Sequence, residues 1–201
     1  MTLADDPMER AEDPLALFDA WYAAARGCGI DKPHAAALAT AGADCRATAR
    51  IVLLSSHDAR GFVFHTNYRS RKGRELEANP WAALLFWWDP LGRQVRIEGP
   101  CERTAPEESD AYWRSRPRGR QLGAWASEQS AVIPGPGTLA ARMAEVTRRF
   151  EGGEVPRPAH WGGYRLRPEV IEFWREGRDR LHDRVRFRRE GGGWVREWLA
   201  P

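Results

Sequence analysis

Cations and hydroxyls gather at three places in the sequence, and each set could bind an anion. Residues 66–72 (TNYRSRK) combine two aliphatic hydroxyls with three cations. Residues 112–118 (YWRSRPR), with Arg120 close behind, form a second basic set, and RLHDR at 180–184 forms the third. Guanidinium groups in particular favour forked recognition of phosphate or carboxylate. The chemistry to expect is therefore that of an anionic ligand.

The first set opens a predicted helix over residues 70–79. Unpaired N–H groups and the helix dipole at such a start favour a phosphate. A second interpretation stays open, in which Ser70 only caps the helix while Arg71 and Lys72 lie in solvent. No GxxxxGK[ST] or GxGxxG run occurs, which disfavours a P-loop or a Rossmann unit.

The second and third sets depend on the element that carries them. On a helix over 106–116, Tyr112 and Arg116 would share a face and could hold one anionic group, although a solvated basic helix end has the same pattern. As a strand, RLHDR would place Arg180, His182 and Arg184 on one face.

Histidine and cysteine spacing gives no metal or hydrolase signature. The five histidines show no HxH or HExxH pattern, and a lone histidine is usually structural. The three cysteines have no CxxC pair, so neither a disulfide framework nor a metal site is predicted, and a reducing cytoplasm is the expected location. No nucleophile elbow is present.

The elements that must position these sets are mostly short strands. Strands are predicted at 36–40, 47–55, 61–66, 81–88, 94–104, 163–174, 181–189 and 194–199, and helices at 14–26, 70–79, 106–116, 119–127 and 137–150. Close spacing of strands and turns indicates an antiparallel barrel or sandwich with added helices. Residues 1–13 are predicted to be a disordered tail and 14–201 a single domain.

Composition excludes several classes of protein. The net charge is only +3, and no apolar run approaches the length of a membrane span. With acidic residues spread throughout and no nucleic-acid motif, a DNA or RNA partner is disfavoured. The ten tryptophans are expected in the core and at a subunit interface.

Taken together, these segments resemble the pyridoxamine 5'-phosphate oxidase family over residues 14–201. The collinear matches are ARIVLL (49–54), FHTNYRSRKGRELEANP (64–80), RQVRIEG (93–99), YWRSRPR (112–118), QLGAWASEQS (121–130), EVPRPAHWGGYRL (154–166), IEFW (171–174), RLHDR (180–184) and WLAP (198–201). The resemblance implies a mainly β fold with helices, the FMN-binding split barrel, and a homodimer with FMN at the interface.

Carried over by motif, the resemblance also implies the cofactor contacts. Those to the FMN phosphate would be Arg50, Ser70, Arg71 and Lys72, with Gln129 and Ser130 in reach. Around the flavin ring and ribityl tail would lie the backbone of Ile51, Val52, Leu53 and Thr66, the side chain of Gln94, and Trp174 with Arg184 from the partner chain.

The implied reaction is oxidation of pyridoxamine or pyridoxine 5'-phosphate to pyridoxal 5'-phosphate, with O2 reduced to H2O2. Arg180 and His182 match the catalytic pair that positions the substrate ring, and Tyr112 and Arg116 match phosphate contacts. Two further phosphate contacts differ. Where the family has a Lys after the ARIVLL strand, this chain has Ser55, and where the family has a Ser before QLGAW, it has Arg120.

The exchange at Ser55 and Arg120 leaves two interpretations. It conserves one cation and one hydroxyl, so both residues stay substrate-binding candidates and the B6 substrate is favoured. The alternative is a same-family FMN oxidase for another anion, such as a dihydrophenazine carboxylate. A flavin-binding protein without enzymatic activity is disfavoured, because RLHDR, Tyr112 and Arg116 are all present.

Overall fold

The computed structural model describes residues 6–201, which form helices around an antiparallel sheet. The helices are α1 (Pro14–Gly27), α2 (Arg71–Ala78), α3 (Pro106–Ser115), α4 (Arg118–Ala126) and α5 (Gly137–Arg149). The strands are β1 (Ala35–Ala41), β2 (Ala47–Asp58), β3 (Gly61–Asn67), β4 (Trp81–Trp88), β5 (Arg93–Arg103), β6 (Trp161–Leu166), β7 (Val170–Arg175), β8 (Asp183–Glu190) and β9 (Gly193–Trp198).

The sheet closes on itself because β5 pairs with three other strands. Over the described residues the order is β4-β1-β2-β3-β6-β5, and pairing of β4 with β5 completes a six-stranded antiparallel barrel. Strand β5 also pairs with β7, which continues the sheet into β8 and β9. The predicted antiparallel barrel with added helices is confirmed.

Alternation of side chains along the strands fills the barrel. On β4, Leu84, Phe86 and Trp88 point inward and are buried, while Trp81 and Trp87 are about half exposed. Helix α1 closes one end with the fully buried Trp21. It begins where it does because Asp13 caps its first turn and Pro14 occupies the first helical position.

A second, smaller core lies outside the barrel wall and carries α3 to α5. Trp113 of α3, Leu122 of α4 and Trp161 of β6 are buried together with Val155. Trp113 Nε1 donates to the carbonyl oxygen of Val155 at 2.7 Å. This packing fixes the basic residues of the YWRSRPR segment beside β3 and β6.

Three predicted elements end elsewhere than expected. The predicted strand 163–174 is two strands, β6 and β7, because Pro168 interrupts the pairing. Helix α3 stops at Ser115, since Arg116 precedes Pro117 and is extended. The prediction of a strand through RLHDR is wrong for Arg180, which has left-handed φ at 63°, and β8 starts only at Asp183.

Part of the predicted disordered tail is ordered. Residues 1–5 lie outside the described residues, but Met8 is fully buried and Pro7–Glu9 form a 3-10 turn capped by Asp6. The Asp6 carboxylate lies 2.7 Å from Arg93 and 3.3 Å from Arg175. An acidic, polar composition predicts disorder because such a segment has little apolar surface to bury. Here the segment is held by ion pairs with Arg93 and Arg175, which lie on strands far away in the sequence.

Candidate active site

The start of α2 forms a cradle of donors. Ser70 is the N-cap, and its Oγ accepts a hydrogen bond from the N–H of Gly73 at 3.3 Å. Ser130 reaches the same turn, where its Oγ accepts from the N–H of Arg71 at 3.1 Å. The structure thus brings the two predicted serines together at one helix N-terminus.

Lys72 is the buried cation of this cradle. Its side chain is only 8% exposed, and Nζ lies 3.3 Å from Thr66 Oγ1 and 3.5 Å from Gln129 Oε1. No carboxylate forms an ion pair with it among residues 6–201. Burial, and secondarily the charge of Arg50, lowers the pKa of Lys72. The second interpretation is therefore wrong for Lys72, although Ser70 does cap the helix and the Arg71 side chain is 62% exposed.

Glu75 compensates the other two cations of the cradle. Its oxygens lie 2.9 Å from Arg50 and 2.8 Å from Arg71, and they accept hydrogen bonds from Thr40 and Thr48. Burial alone would raise the pKa of Glu75, but these hydrogen bonds lower it to about 2. Three cations and one carboxylate leave a net charge of +2, and a buried, uncompensated ammonium is costly until an anion meets it. This donor set fits the phosphate of a flavin mononucleotide.

A cleft extends from the cradle toward α3 and α4, in two adjoining compartments of about 330 and 360 Å³. Predicted cofactor and substrate residues line it together: Ile51, Val52, Leu53, Thr66, Lys72, Tyr112, Arg116, Arg120 and Gln129. The cleft thus joins the first basic set of the sequence to the second.

Arg116 and Arg120 form a cationic cup at the far side of the cleft. The Arg116 guanidinium lies 4.3 Å from the Trp161 ring centroid and donates to the carbonyl oxygen of Arg120 at 3.1 Å. Burial and the charge of Arg120 lower the pKa of Arg116. Neither arginine has an ion-pair partner within the described residues, so the cup offers two unneutralised cations to an anion. Tyr112 and Arg116 do meet at the cleft, although not on one helical face as predicted.

Ser55 does not line the cleft. Its Oγ lies 2.9 Å from the carbonyl oxygen of Val63 and 3.0 Å from Nδ1 of His65. His65 does line both compartments and stacks on Tyr112, with ring centroids 3.9 Å apart. Sequence reasoning missed His65 because a lone histidine has no pattern; the one available signal was its place just before the Thr66 backbone.

The remaining predicted cofactor residues lie in a separate cross-strand row. Trp87 pairs with Gln94, Gln94 with Trp174, and Trp174 with Arg184, on the outer face of β4, β5, β7 and β8. Arg184 is 2.9 Å from Glu172. No residue of this row lines the cleft of the same chain.

The turn that precedes β8 carries the predicted catalytic pair. Asp179 and Arg180 both have left-handed φ, at 54° and 63°, a conformation disfavoured for residues other than glycine. Nδ1 of His182 accepts from the N–H of Gly177 at 3.2 Å, so a neutral ring carries its hydrogen on Nε2. Its ring centroid is 4.4 Å from that of Trp174. Leu181, between Arg180 and His182, is 71% exposed.

Two other kinds of site are absent from the described part of the chain. No group of three or more His, Cys, Asp or Glu side chains is placed there to hold a metal ion. None of the helices in residues 6–201 is long and apolar enough to cross a membrane.

The closed barrel with a charged helix start beside its cleft defines the class of split-barrel flavoproteins. Residues 24–150 match the family model described as pyridoxamine 5'-phosphate oxidase, and residues 161–201 match the pyridoxine 5'-phosphate oxidase C-terminal dimerisation region. The chain therefore belongs to the pyridoxamine 5'-phosphate oxidase family and is a flavin-dependent oxidoreductase. The second match supports a homodimer.

Individual similar proteins are named for, or were crystallised with, different ligands. A pyridoxine/pyridoxamine 5'-phosphate oxidase of Rubrobacter xylanophilus is 55% identical over 199 residues, covering 99% of this chain and 91% of the relative. The crystal structure of PhzG from Burkholderia lata with tetrahydrophenazine-1-carboxylic acid aligns with a TM-score of 0.92 at 36% identity, covering 100% and 98%. An FMN-binding protein of Nostoc punctiforme shares the fold, with a TM-score of 0.73 at 16% identity over 95% and 100%.

Proposed function

We propose that this protein is an FMN-dependent oxidase that converts pyridoxamine or pyridoxine 5'-phosphate to pyridoxal 5'-phosphate, with O2 reduced to H2O2. The observation that carries the proposal is the pair of anion sites in one cleft: the cradle around Lys72 and the cup of Arg116 and Arg120. Cofactor and substrate each carry one phosphate ester, so two such sites in one cleft suit them both.

Bound FMN would supply the hydride acceptor, with O2 as the final electron acceptor. Toward this cofactor, the cradle binds the phosphate through Lys72, Ser70 and the N–H groups of α2, with Arg50, Arg71 and Ser130 beside them. Ile51 and Leu53 present apolar side chains that are 65% and 43% exposed in the single chain, a surface suited to the flavin ring and to a partner subunit.

The substrate would lie between the cup and the RLHDR turn. Tyr112, Arg116 and Arg120 would hold its phosphate, while Arg180 and His182 would orient the pyridine ring, with the Nε2 hydrogen of a neutral His182 as donor. Because the row containing Trp174 and Arg184 is apart from the cleft of the same chain, each complete site needs that row and RLHDR from the partner subunit. Glu172 lies between Arg184 and Arg96, and Glu98 is 2.6 Å from Arg96, so these two arginines are balanced by two carboxylates.

A second substrate is favoured by one specific observation. The similar PhzG structure holds a tetrahydrophenazine carboxylate, and the cup of this chain lacks the strand-borne Lys of the B6 pattern at Ser55. Two guanidiniums bind a carboxylate as well as a phosphate. A dihydrophenazine carboxylate is therefore the alternative substrate.

The deciding experiment measures oxygen-dependent H2O2 formation by the flavin-loaded protein. Pyridoxamine 5'-phosphate, pyridoxine 5'-phosphate and a dihydrophenazine carboxylate are compared at equal concentrations. We expect turnover of at least one phosphorylated vitamer to exceed that of the carboxylate. A flavin-loaded protein inactive on both vitamers would refute the proposal, and activity on the carboxylate alone would establish the alternative.

A further inference from the structure

Ser55 occupies an irregular position in the barrel wall. The pairing of β2 with β3 passes from Leu54↔Phe64 to Ser56↔Val63, so Ser55 is the extra residue of a β-bulge. Bulges re-aim side chains, often beside active sites. Here the bulge places Ser55 Oγ within hydrogen-bonding distance of two groups, the carbonyl oxygen of Val63 and Nδ1 of His65.

This bond arrangement fixes the His65 ring. When the Ser55 hydroxyl donates to Val63, Nδ1–H of His65 donates to Ser55 Oγ, and Nε2 carries no hydrogen. Nε2 is buried without a hydrogen-bond partner among the described residues. The ring fits there because its neighbour on β6 is Gly163, where a Cβ would lie 3.1 Å from Nε2 and 2.6 Å from Thr104 Oγ1.

The fixed ring in turn supports Tyr112. The two planes are 14° apart at a centroid distance of 3.9 Å, and the Trp161 plane lies 19° from that of His65. Tyr112 is 36% exposed, and within residues 6–201 its hydroxyl makes no hydrogen bond. Contact with His65 is thus what orients the phenol toward the cleft beside Arg116.

We propose that His65 is a positioning residue for Tyr112, held in place by Ser55, so that the substrate's anionic group is bound by Tyr112, Arg116 and Arg120 from the helical side of the cleft alone. The inference rests on the proposed function, because it concerns the anion that the substrate carries. In this chain, the neutral Ser55–His65 pair stands where the family pattern has a Lys on strand β2. The pair affects affinity for the anionic group through the position of Tyr112.

The test separates anion binding from turnover. The FMN-loaded homodimer is titrated calorimetrically with 4-deoxypyridoxine 5'-phosphate, which lacks the oxidisable group, with unphosphorylated 4-deoxypyridoxine, and with inorganic phosphate. His65→Asn keeps a hydrogen-bonding amide and removes the ring, whereas His65→Phe keeps the stack and removes the bond to Ser55. Ser55→Ala removes the same bond from the other side. His57→Phe is the matched control, because His57 stacks on Phe62 away from the cleft.

His65→Asn should weaken binding of the phosphate ester and of inorganic phosphate by about tenfold while leaving the unphosphorylated ligand unchanged, as expected for one lost aromatic contact. His65→Phe and Ser55→Ala should each cost about threefold, and the double variant no more than either one, since both remove one bond. FMN content and the control should match wild type. Wild-type anion affinity in His65→Asn, or additive losses in the double variant, would overturn the inference.

If the proposed function is wrong, the titrations of the wild-type protein give a different result from the one expected if only the role of His65 is wrong. If the phosphate ester does not bind to wild type, the B6 assignment fails, and the inorganic phosphate titration still tests the positioning role. Should His65→Asn not fold, His65→Phe and Ser55→Ala decide by the same ratio of affinities.

Discussion

The cradle at α2 and the turn before β8 both carry cationic residues, in opposite settings. In the cradle, Lys72 and Ser70 are buried, and the donors are already arranged by a helix cap. In the turn, Arg180 has left-handed φ, and Leu181 beside it is 71% exposed in the single chain. The cradle is finished within one chain, whereas the turn presents its groups outward.

This difference in burial suggests separate roles for the two regions, cofactor binding for the cradle and substrate binding for the turn. A buried, uncompensated ammonium in a rigid setting serves a ligand that stays bound, such as a cofactor. Under the proposed function, an exposed turn in a disfavoured conformation would meet groups of the partner subunit and a substrate that binds and leaves in each turnover. Substitutions in the two regions should therefore have different effects on turnover and on cofactor binding.

The largest effect is expected in the turn. His182→Ala and Arg180→Ala should each lower kcat/KM for the phosphorylated vitamers by about 100-fold, because substrate orientation is lost. Flavin absorbance per chain should stay at the wild-type level, since neither residue belongs to the cradle. Steady-state peroxide assays and absorbance spectra check both statements. Full turnover by either variant would remove that residue from the site.

Mixed dimers test whether the two regions of one site come from different chains. Refolding Lys72→Met together with His182→Ala should restore activity to about a quarter of wild type, because about half of the dimers are mixed and each has one undamaged site. Each variant refolded alone is the control. If mixing restores nothing, the cradle and the turn of one chain serve the same site.

In the cradle, Lys72→Met should weaken FMN binding by about 10- to 100-fold, the usual cost of a lost charged hydrogen bond. Without FMN, the variant should be at least as stable as wild type, because a buried unpaired cation has been removed. Flavin titration and thermal unfolding measure the two changes. Arg74→Met, on the exposed face of the same helix, is the control. An FMN affinity unchanged by Lys72→Met would refute the cradle.

The smallest effect concerns pH. Burial and the charge of Arg116 lower the pKa of His65 from 6.5 to about 4. A lowered histidine pKa stabilises the fold fully above about pH 6.5, and this contribution is lost as the pH falls toward 4. Glu75, with its pKa lowered from 4.5 to about 2, loses its contribution only between about pH 4.5 and 2.

Urea unfolding of wild type and His65→Phe at pH 7 and pH 5 tests the upper window. The stability difference between the two proteins should shift in favour of the variant at pH 5, because a phenyl ring has no proton to take up. A difference that is constant between the two pH values would contradict the neutral, buried His65.

Strand alternation was sufficient to predict the barrel, because side chains such as Phe86 and Trp88 repeat with the period of the sheet. It was insufficient where one residue breaks the period. Pro117 ends α3 before Arg116, and Ser55 lies in a bulge that no local pattern signals. The contact of His65 with Tyr112 joins residues 47 positions apart, and ordered Asp6 depends on Arg93 and Arg175. Such pairings follow from the closed fold and not from neighbouring residues.

The clasp between residues 6–9 and the last strands has a kinetic consequence. Arg196 donates to the carbonyl oxygens of Met8 and Glu9, which are 188 and 187 positions away along the chain. Closing so long a loop is slow, because the chain loses conformational entropy before the contact contributes any stabilising free energy. We therefore expect the barrel to form first and this clasp to close in the final step of folding, so that β9, which carries Arg196, becomes rigid last.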